Sequence, residues 1–360
     1  MEGGLYAGIF IERERVRVCV ARHTGNDHVS GGSRPRAEVI DGKTFTKGAA
    51  DMLAAAGEWL ARNHPEVAGI GIGGFGPFVS LDPVDADEDY AGGTYGLVDP
   101  RRADQPFRGV NLPAVISDAF IEQGVPVPAI AVHTDACVGA LGDAWLRGVT
   151  DCEANNVTVF LMLTDGVGAG YVSGLSIIRG GLHPEMGLID VSLFDDDPLL
   201  NTDLGDRSDL GCVASARAMI ERAKELGFDV ESIDDVYDIE HKQLWPVWAR
   251  YVARACLVCT AMLSPKRIAL GGPMMQNKFA LKAIQARFHD LWVDRCDGPA
   301  FDYEGLHEID YIEKASRQGD LDAMIGGAVC LAISAKRPTS WTGQNVVPIV
   351  KKRSSGDIEA

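Results

Sequence analysis

The sequence predicts an α/β fold of two similar units with a cleft between them. Short β-type runs alternate with longer stretches whose apolar residues recur at three- and four-residue spacing, the alternation that builds α/β domains. Strand-like runs close on glycine pairs in both halves of the chain, at Gly73–Gly74 and at Gly271–Gly272. The chain has 360 residues, enough for two separate cores.

The elements follow in order. Val16 to Ala21 alternates as a strand, Gly31 to Arg36 has loop composition, and Phe45 to Asn63 carries the helical pattern AADMLAAAGEWLARN. Val67 to Ile72 is a short β run closed by Gly73–Gly74, followed by Gly76–Pro77. The acidic, Gly- and Pro-bearing stretch from Asp82 to Pro106 reads as a surface loop, and Leu112 to Gln123 as a helix. Ile130 to His133 is a strand that feeds the helix Ala136 to Arg147. The second half repeats the scheme. Val157 to Leu163 is a buried strand, with a hairpin partner starting at Gly170 to Ser173. Val213 to Leu226 and Pro246 to Leu263 are helices, and Ile268 to Leu270 is a strand. Asn277 to Trp292 and Asp322 to Ala335 are helices, the last strongly apolar, and a polar tail runs from Pro338 to Ala360.

Composition narrows the function classes. The chain is 46% hydrophobic and 24% charged, an ordinary globular balance. No window reaches the run of about 18 apolar residues that a membrane span needs. The opening MEGGLYAGIFIERERV lacks the order of a signal peptide, so a cytoplasmic protein is expected, with no membrane partner. A formal charge of −17 argues against a nucleic-acid partner, because phosphate backbones need a positive field. Cys256 and Cys259 form a C-x-x-C, but inside a helical pattern where they share one face, which fits a core pair better than a redox or metal site.

Two carboxylates stand at chemically useful places. Asp135 follows the strand ending at His133 and precedes a helix, so it lies at a carboxyl edge of a sheet, where ligands bind in α/β folds. A carboxylate there can take a proton from a hydroxyl, or it can simply cap the helix; the position alone leaves both open. Glu185 follows a proline in a glycine-rich loop, as an exposed acid or as an acceptor for ligand hydroxyls.

Four segments in order carry a family resemblance. They are Gly74-Phe75-Gly76-Pro77 with Leu81-Asp82-Pro83 and Thr94-Tyr95-Gly96; His133-Thr134-Asp135-Ala136-Cys137 with Ala140-Leu141-Gly142-Asp143; Gly180-Gly181-Leu182-His183-Pro184-Glu185-Met186-Gly187; and Ile268-Ala269-Leu270-Gly271-Gly272. The set resembles the ROK (repressor, open reading frame, kinase) family, closest to its fructokinases, and H-P-E-M-G is its most distinctive part. The resemblance implies a two-domain actin-like, ribonuclease-H-like sugar kinase fold with an interdomain cleft. It places an N-terminal α/β domain at residues 1–130, rejoined by a helix at about 320–337, a C-terminal domain at 131–319 and a tail at 338–360. It implies ATP with magnesium, a small-molecule sugar substrate of the fructose type and a homodimer. It assigns Asp135 as catalytic base. It puts Gly76, Pro77, Thr134, His183 and Glu185 at the sugar, and Gly166, Gly168, Gly170, Gly271 and Gly272 at the nucleotide.

The phosphate loops depart from the family pattern. Where the family reads D-x-G-x-T after its first strand, this chain has Phe10, Glu12, Arg13 and Glu14. In the second loop, Asp165 replaces a phosphate-facing threonine. A carboxylate about 4 Å from a phosphate costs several kcal/mol at the intermediate dielectric of a cleft. Efficient ATP use is therefore disfavoured on physical grounds, and a second expectation stands beside the kinase: a ROK-fold protein that binds a sugar or cyclitol without phosphotransfer.

The family's zinc motif is altered as well. Leu188 stands for the histidine that ends H-P-E-M-G-H, and the remaining ligand positions fall on Asp203, Asp206 and Asp209. Oxygen ligands suit a hard cation better than zinc, and a solvated acidic loop is the simpler reading. No metal ligand is assigned. Elemental analysis of the purified protein is expected to find no stoichiometric zinc; one tightly held zinc per chain would overturn the ligand alignment.

Overall fold

The computed structural model describes residues 4–29, 32–46, 48–82, 93–103, 105–149, 155–179, 183–293, 311–318 and 321–335. The first sheet is built from β1 (Leu5–Ile11), β2 (Val16–Val29), β3 (Gly32–Phe45), β4 (Gly69–Gly74) and β5 (Ala129–Thr134), in the spatial order β3-β2-β1-β4-β5. β1, β4 and β5 run parallel, whereas β2 and β3 are antiparallel additions on one edge. α1 (Ala49–Asn63) and α2 (Leu112–Glu122) join β1 and β4 in a core that includes Ile9, Leu53, Leu60, Ile70, Ile116 and Phe120, none of them more than 0% exposed.

α3 (Asp135–Leu146) leads to the second sheet: β6 (Val157–Leu163), β7 (Val167–Ser173), β8 (Ser176–Ile177), β9 (Arg267–Gly271) and β10 (Ile312–Lys314), ordered β10-β9-β6-β7-β8. α4 (Leu210–Val213), α5 (Ala216–Glu225), α6 (Trp245–Leu263) and α7 (Ala280–Val293) belong to this half. Its core centres on Trp245, Trp248, Tyr251 and Leu270. A short hairpin, β11 (Arg317–Gln318) with β12 (Leu321–Asp322), precedes α8 (Ala323–Ala335). α8 returns to the first sheet. A Cβ added to Gly71 in β4 would lie 1.9 Å from the carbonyl oxygen of Ala328, so the helix backbone rests directly on the strand.

Most expected elements are present with shifted ends. The segment expected as a loop, Gly31 to Arg36, is instead entered by β3 from Gly32, because the antiparallel ladder with β2 extends past the core-facing part of that strand. The first helix starts at Ala49 rather than Phe45; Gly48 precedes it at φ 58°, a left-handed conformation suited to glycine. The helix expected over Val213–Leu226 is two helices, because Ser215 caps α5 by accepting from Ala218 N at 3.2 Å. In the stretch expected as surface loop, Tyr95 and Val98 are buried and Val98 bridges to Phe78; residues 83–92 and the 338–360 tail lie outside the described residues. β5 belongs wholly to the first sheet, and residue 130 lies within it. Cys256 and Cys259 are 0% and 1% exposed inside α6, and burial pushes the Cys259 thiol up to about 12.

The second unit is pinned by a fully buried ion pair. Arg222 donates to Asp197 from Nε at 2.9 Å and from Nη2 at 2.8 Å, and both side chains are 0% exposed. Tyr251 donates its hydroxyl to the same carboxylate at 2.6 Å, and Asp197 Oδ1 accepts from Leu199 N at 3.0 Å. Burial pushes the Asp197 carboxyl up, but the Arg222 and Tyr251 hydrogen bonds outweigh it and hold it below the usual carboxylate range. A depressed carboxyl contributes stability above its unfolded value of about 3.9. That contribution is lost as pH falls through the lower folded value. Asp197→Asn strands a buried guanidinium, and chemical denaturation is expected to show a loss of about 3–5 kcal/mol at neutral pH; a loss below about 1 kcal/mol would contradict the pair's structural role.

Candidate active site

Both sheets present their parallel strand ends to one cleft of about 580 Å³. The registers bring Ile11, Gly74 and Thr134 side by side at the ends of β1, β4 and β5, and Met162 beside Gly271 at the ends of β6 and β9. Asp135 and Gly76 line this cleft from the first sheet's side, and Gly166 and Gly272 from the second.

Asp135 is the first residue of α3, but the helix cap is Thr134, whose hydroxyl accepts from Cys137 N at 3.3 Å. Asp135 Oδ1 accepts from the adjacent Ala136 N at 2.7 Å, and Asp135 lines the cleft. The sequence left capping and chemistry open; the geometry gives capping to the threonine. Burial pushes the Asp135 carboxyl up, while the Ala136 amide and the nearby His183 pull weakly the other way. Thr134, expected at the sugar, is 2% exposed, uses its hydroxyl as the cap and is not a cleft-lining residue.

The remaining sugar-side residues gather around Gly76. A Cβ at position 76 would lie 2.5 Å from His183 Nε2, so the imidazole packs where only glycine leaves room. His183 Nδ1 lies 3.4 Å from Glu185 Oε1, placing the H-P-E segment against the turn that holds the cis Gly76–Pro77 peptide. Residues 180–182 lie outside the described residues. Burial above all, with Arg179 and His183 adding to it, pushes His133 down to about 3, and its Nδ1 accepts from Thr134 N at 2.9 Å. The proton of the neutral ring therefore sits on Nε2.

The five glycines expected at the nucleotide divide into two kinds. Gly166 and Gly272 line the cleft; a Cβ on Gly166 would meet nothing within 4 Å, and Gly272 takes a left-handed φ of 94°. Gly168, Gly170 and Gly271 are not lining residues. Gly170 and Gly271 serve packing, since a Cβ would lie 2.0 Å from Ala136 O in the first and 2.2 Å from the Phe160 ring in the second.

The altered phosphate side is internally paired. Phe10 is 3% exposed at the end of β1, with the Arg17 guanidinium 5.4 Å above its ring. Glu12 accepts from Arg15 at 2.6 and 2.9 Å and from Arg17 at 3.1 Å, and Arg17 reaches Asp322 at 2.9 Å. Arg13 lies 3.8 Å from Asp165, joining the two loops whose sequences depart from the family. Arg13, Arg15 and Arg17 all line the cleft, whereas Glu14 is exposed and outside it. Between β1 and β2, residues 12–15 form a turn closed by Glu12 N donating to Arg15 O at 2.9 Å. With Arg102 added, four arginines share this cleft with Glu12, Asp135, Asp165 and Asp322, so its charges balance. Sequence reasoning missed Arg17, Arg102, Gln105 and Asp322; all four lie outside the family motifs, and Asp322 arrives from 305 residues away.

Asp209 caps α4 through Cys212 N at 2.9 Å and pairs with Arg207 at 2.8 Å, while Asp203 and Asp206 are exposed. Among the described residues no group of three or more His, Cys, Asp or Glu side chains is placed to hold a metal ion, and no helix is long and apolar enough to cross a membrane. Leu188 is 70% exposed.

Comparison with known proteins agrees with this architecture. A fructokinase from Pediococcus pentosaceus is 28% identical over 226 residues, which is 62% of this chain and 69% of that one. The ROK hexokinase of Thermus thermophilus superposes with a TM-score of 0.62 at 18% identity, over 92% of this chain and 98% of that one. A ROK glucokinase from Streptomyces griseus, solved with glucose and AMPPNP, gives a TM-score of 0.55 at 20% identity over 92% and 100%. These structural likenesses extend across both sheets and the cleft, giving the actin-like, ribonuclease-H-like sugar kinase fold. The sequence profile of the ROK family matches residues 107–332, more than half of the chain, and the chain belongs to that family.

Proposed function

We propose that this chain is a sugar kinase by descent that takes a fructose-type hexose, with Asp135 as the general base. The observation that carries the reading is the Asp135 carboxylate, released from capping by Thr134 and lining the cleft at a sheet's carboxyl edge. A sugar hydroxyl is a poor nucleophile, and a carboxylate that accepts its proton supplies about two to four decades of rate. Burial brings the Asp135 carboxyl closer to the operating pH, which makes it a better base than an exposed aspartate. Glu185 and His183, beside the Gly76 turn, would hold and orient sugar hydroxyls. The P. pentosaceus relative's name, fructokinase, supports the sugar class.

Magnesium–ATP, the family's phosphoryl source, fits the residues poorly. Phe10 offers no ligand for a cation where relatives of the family have an aspartate, and Glu12 and Asp165 already face arginines. A triphosphate would have to displace those arginines from their carboxylates. This pairing favours a second reading: a ROK-fold protein that binds a sugar or cyclitol without phosphotransfer.

Two outcomes test the reading. Asp135→Asn keeps the shape but accepts no proton, so turnover on a confirmed hexose should fall by about two to four decades. A carboxyl raised by burial costs stability once pH exceeds its folded value, and that cost disappears below the unfolded value of about 3.9. The variant should therefore melt at or above the wild-type temperature at pH 7, with the gap closing as pH falls toward 4. Full turnover in the variant would refute the base assignment. Calorimetry with magnesium–ATP should give a dissociation constant weaker than about 1 mM, or about −4 kcal/mol. Asp165→Thr alone should improve it only slightly, because Phe10 and the Glu12 pairs remain. A low-micromolar wild-type constant would leave the efficient kinase standing.

A further inference from the structure

Gln105 sits in a turn that the family motifs do not cover. The turn is anchored from below by Phe107, 2% exposed, and beyond it by Asn111, which caps α2 by accepting from Ala114 N at 3.1 Å. Gln105 itself is only 5% exposed, yet it lines the cleft with Gly76 and Asp135.

Its amide has one orientation. Nε2 donates to the carbonyl oxygen of Gly76 and lies 3.4 Å from that of Phe75. Flipping the amide would set its oxygen against two carbonyl oxygens, so the acceptor end is held on the opposite side. There Oε1 is buried with no hydrogen-bond partner among the described residues. Three further ring nitrogens, His133 Nε2 and both of His183, are buried without a hydrogen-bond partner among the described residues. Native proteins leave few such atoms, because each costs free energy on the order of a lost hydrogen bond. Here they gather around the turn that His183 packs against and Gln105 holds.

We propose that Gln105 is a specificity-determining residue, whose Oε1 accepts a hydrogen bond from one hydroxyl of the sugar bound at Asp135. The inference rests on the sugar-site reading above and adds to it a recognition contact outside the family's motifs. The amide is pre-oriented by backbone carbonyls, so a hydroxyl that reaches it from the cleft meets an acceptor that has no competing donor. A ligand lacking that hydroxyl leaves Oε1 unpaired, the arrangement that gives polar sites their strongest discrimination.

The test is calorimetric titration of the full chain with fructose, glucose, mannose and their monodeoxy derivatives, using wild type and Gln105→Met, which keeps length but removes the acceptor. The expected result is a loss of about tenfold in affinity for the parent hexose in the variant. One monodeoxy sugar should bind both proteins equally, because the contact it lacks is the one the variant lacks. If every deoxy sugar loses the same factor as the parent, Gln105 only supports the turn and the proposal is wrong. Unchanged affinity for the parent also overturns it, while leaving the sugar site standing. Wild type that binds none of these hexoses defeats the sugar-site reading itself. Should Gln105→Met not fold, Gln105→Asn, which draws the acceptor back by one methylene, is read the same way.

Discussion

The close approach of α8 to β4 and α3 organises this molecule. No side chain separates them: a Cβ on Gly142 of α3 would lie 1.7 Å from Ala323 O, and one on Gly327 of α8 would lie 1.7 Å from Val138 O. With Gly71 pressed on Ala328 in the same way, strand, returning helix and α3 form one close-packed block. Any larger residue at these points would force backbone apart, since interiors pack as densely as crystals. The block fixes two things the site needs: the end of β4, which continues into the Gly76 turn, and the first turn of α3, which carries Asp135. A second tie, the buried Asp143, receives Arg147, Arg267 and the Ser316 amide, and so joins α3 to the second sheet.

Much of this was legible in the sequence because it depends on local rules. Helical spacing located α1, α2, α3 and α6, and glycine pairs marked the strand ends that meet at the cleft. The sugar-side motif brought Asp135, Gly76, His183 and Glu185 toward one place, and the structure gathers them there. The misreadings have physical causes. Thr134 and Asp135 are both good caps, and only the backbone geometry at Thr134 decides which hydroxyl or carboxylate turns inward. The glycines of the second phosphate loop share one motif, yet Gly170 answers to α3 packing and Gly166 to open space. Long-range pairs such as Arg17 with Asp322 leave no trace in spacing. The arginines beside the altered carboxylates could not be oriented from sequence, because residues 12–15 form a turn.

The two sides of the cleft therefore follow different chemistry. On one side, buried polar atoms have no hydrogen-bond partner among the described residues, and burial raises the Asp135 carboxyl. On the other, carboxylates and arginines pair with one another at 2.6–3.8 Å. The exposed Arg13–Asp165 pair adds little stability by itself.

Thermal melting with separate ligands tests that asymmetry most directly, because a ligand that binds the folded state raises the melting temperature by mass action. Fructose, other hexoses and magnesium–ATP would each be added alone at equal, millimolar concentration. The account predicts a clear upward shift with at least one hexose and none with the nucleotide. A shift with magnesium–ATP alone, and none with any hexose, would contradict it.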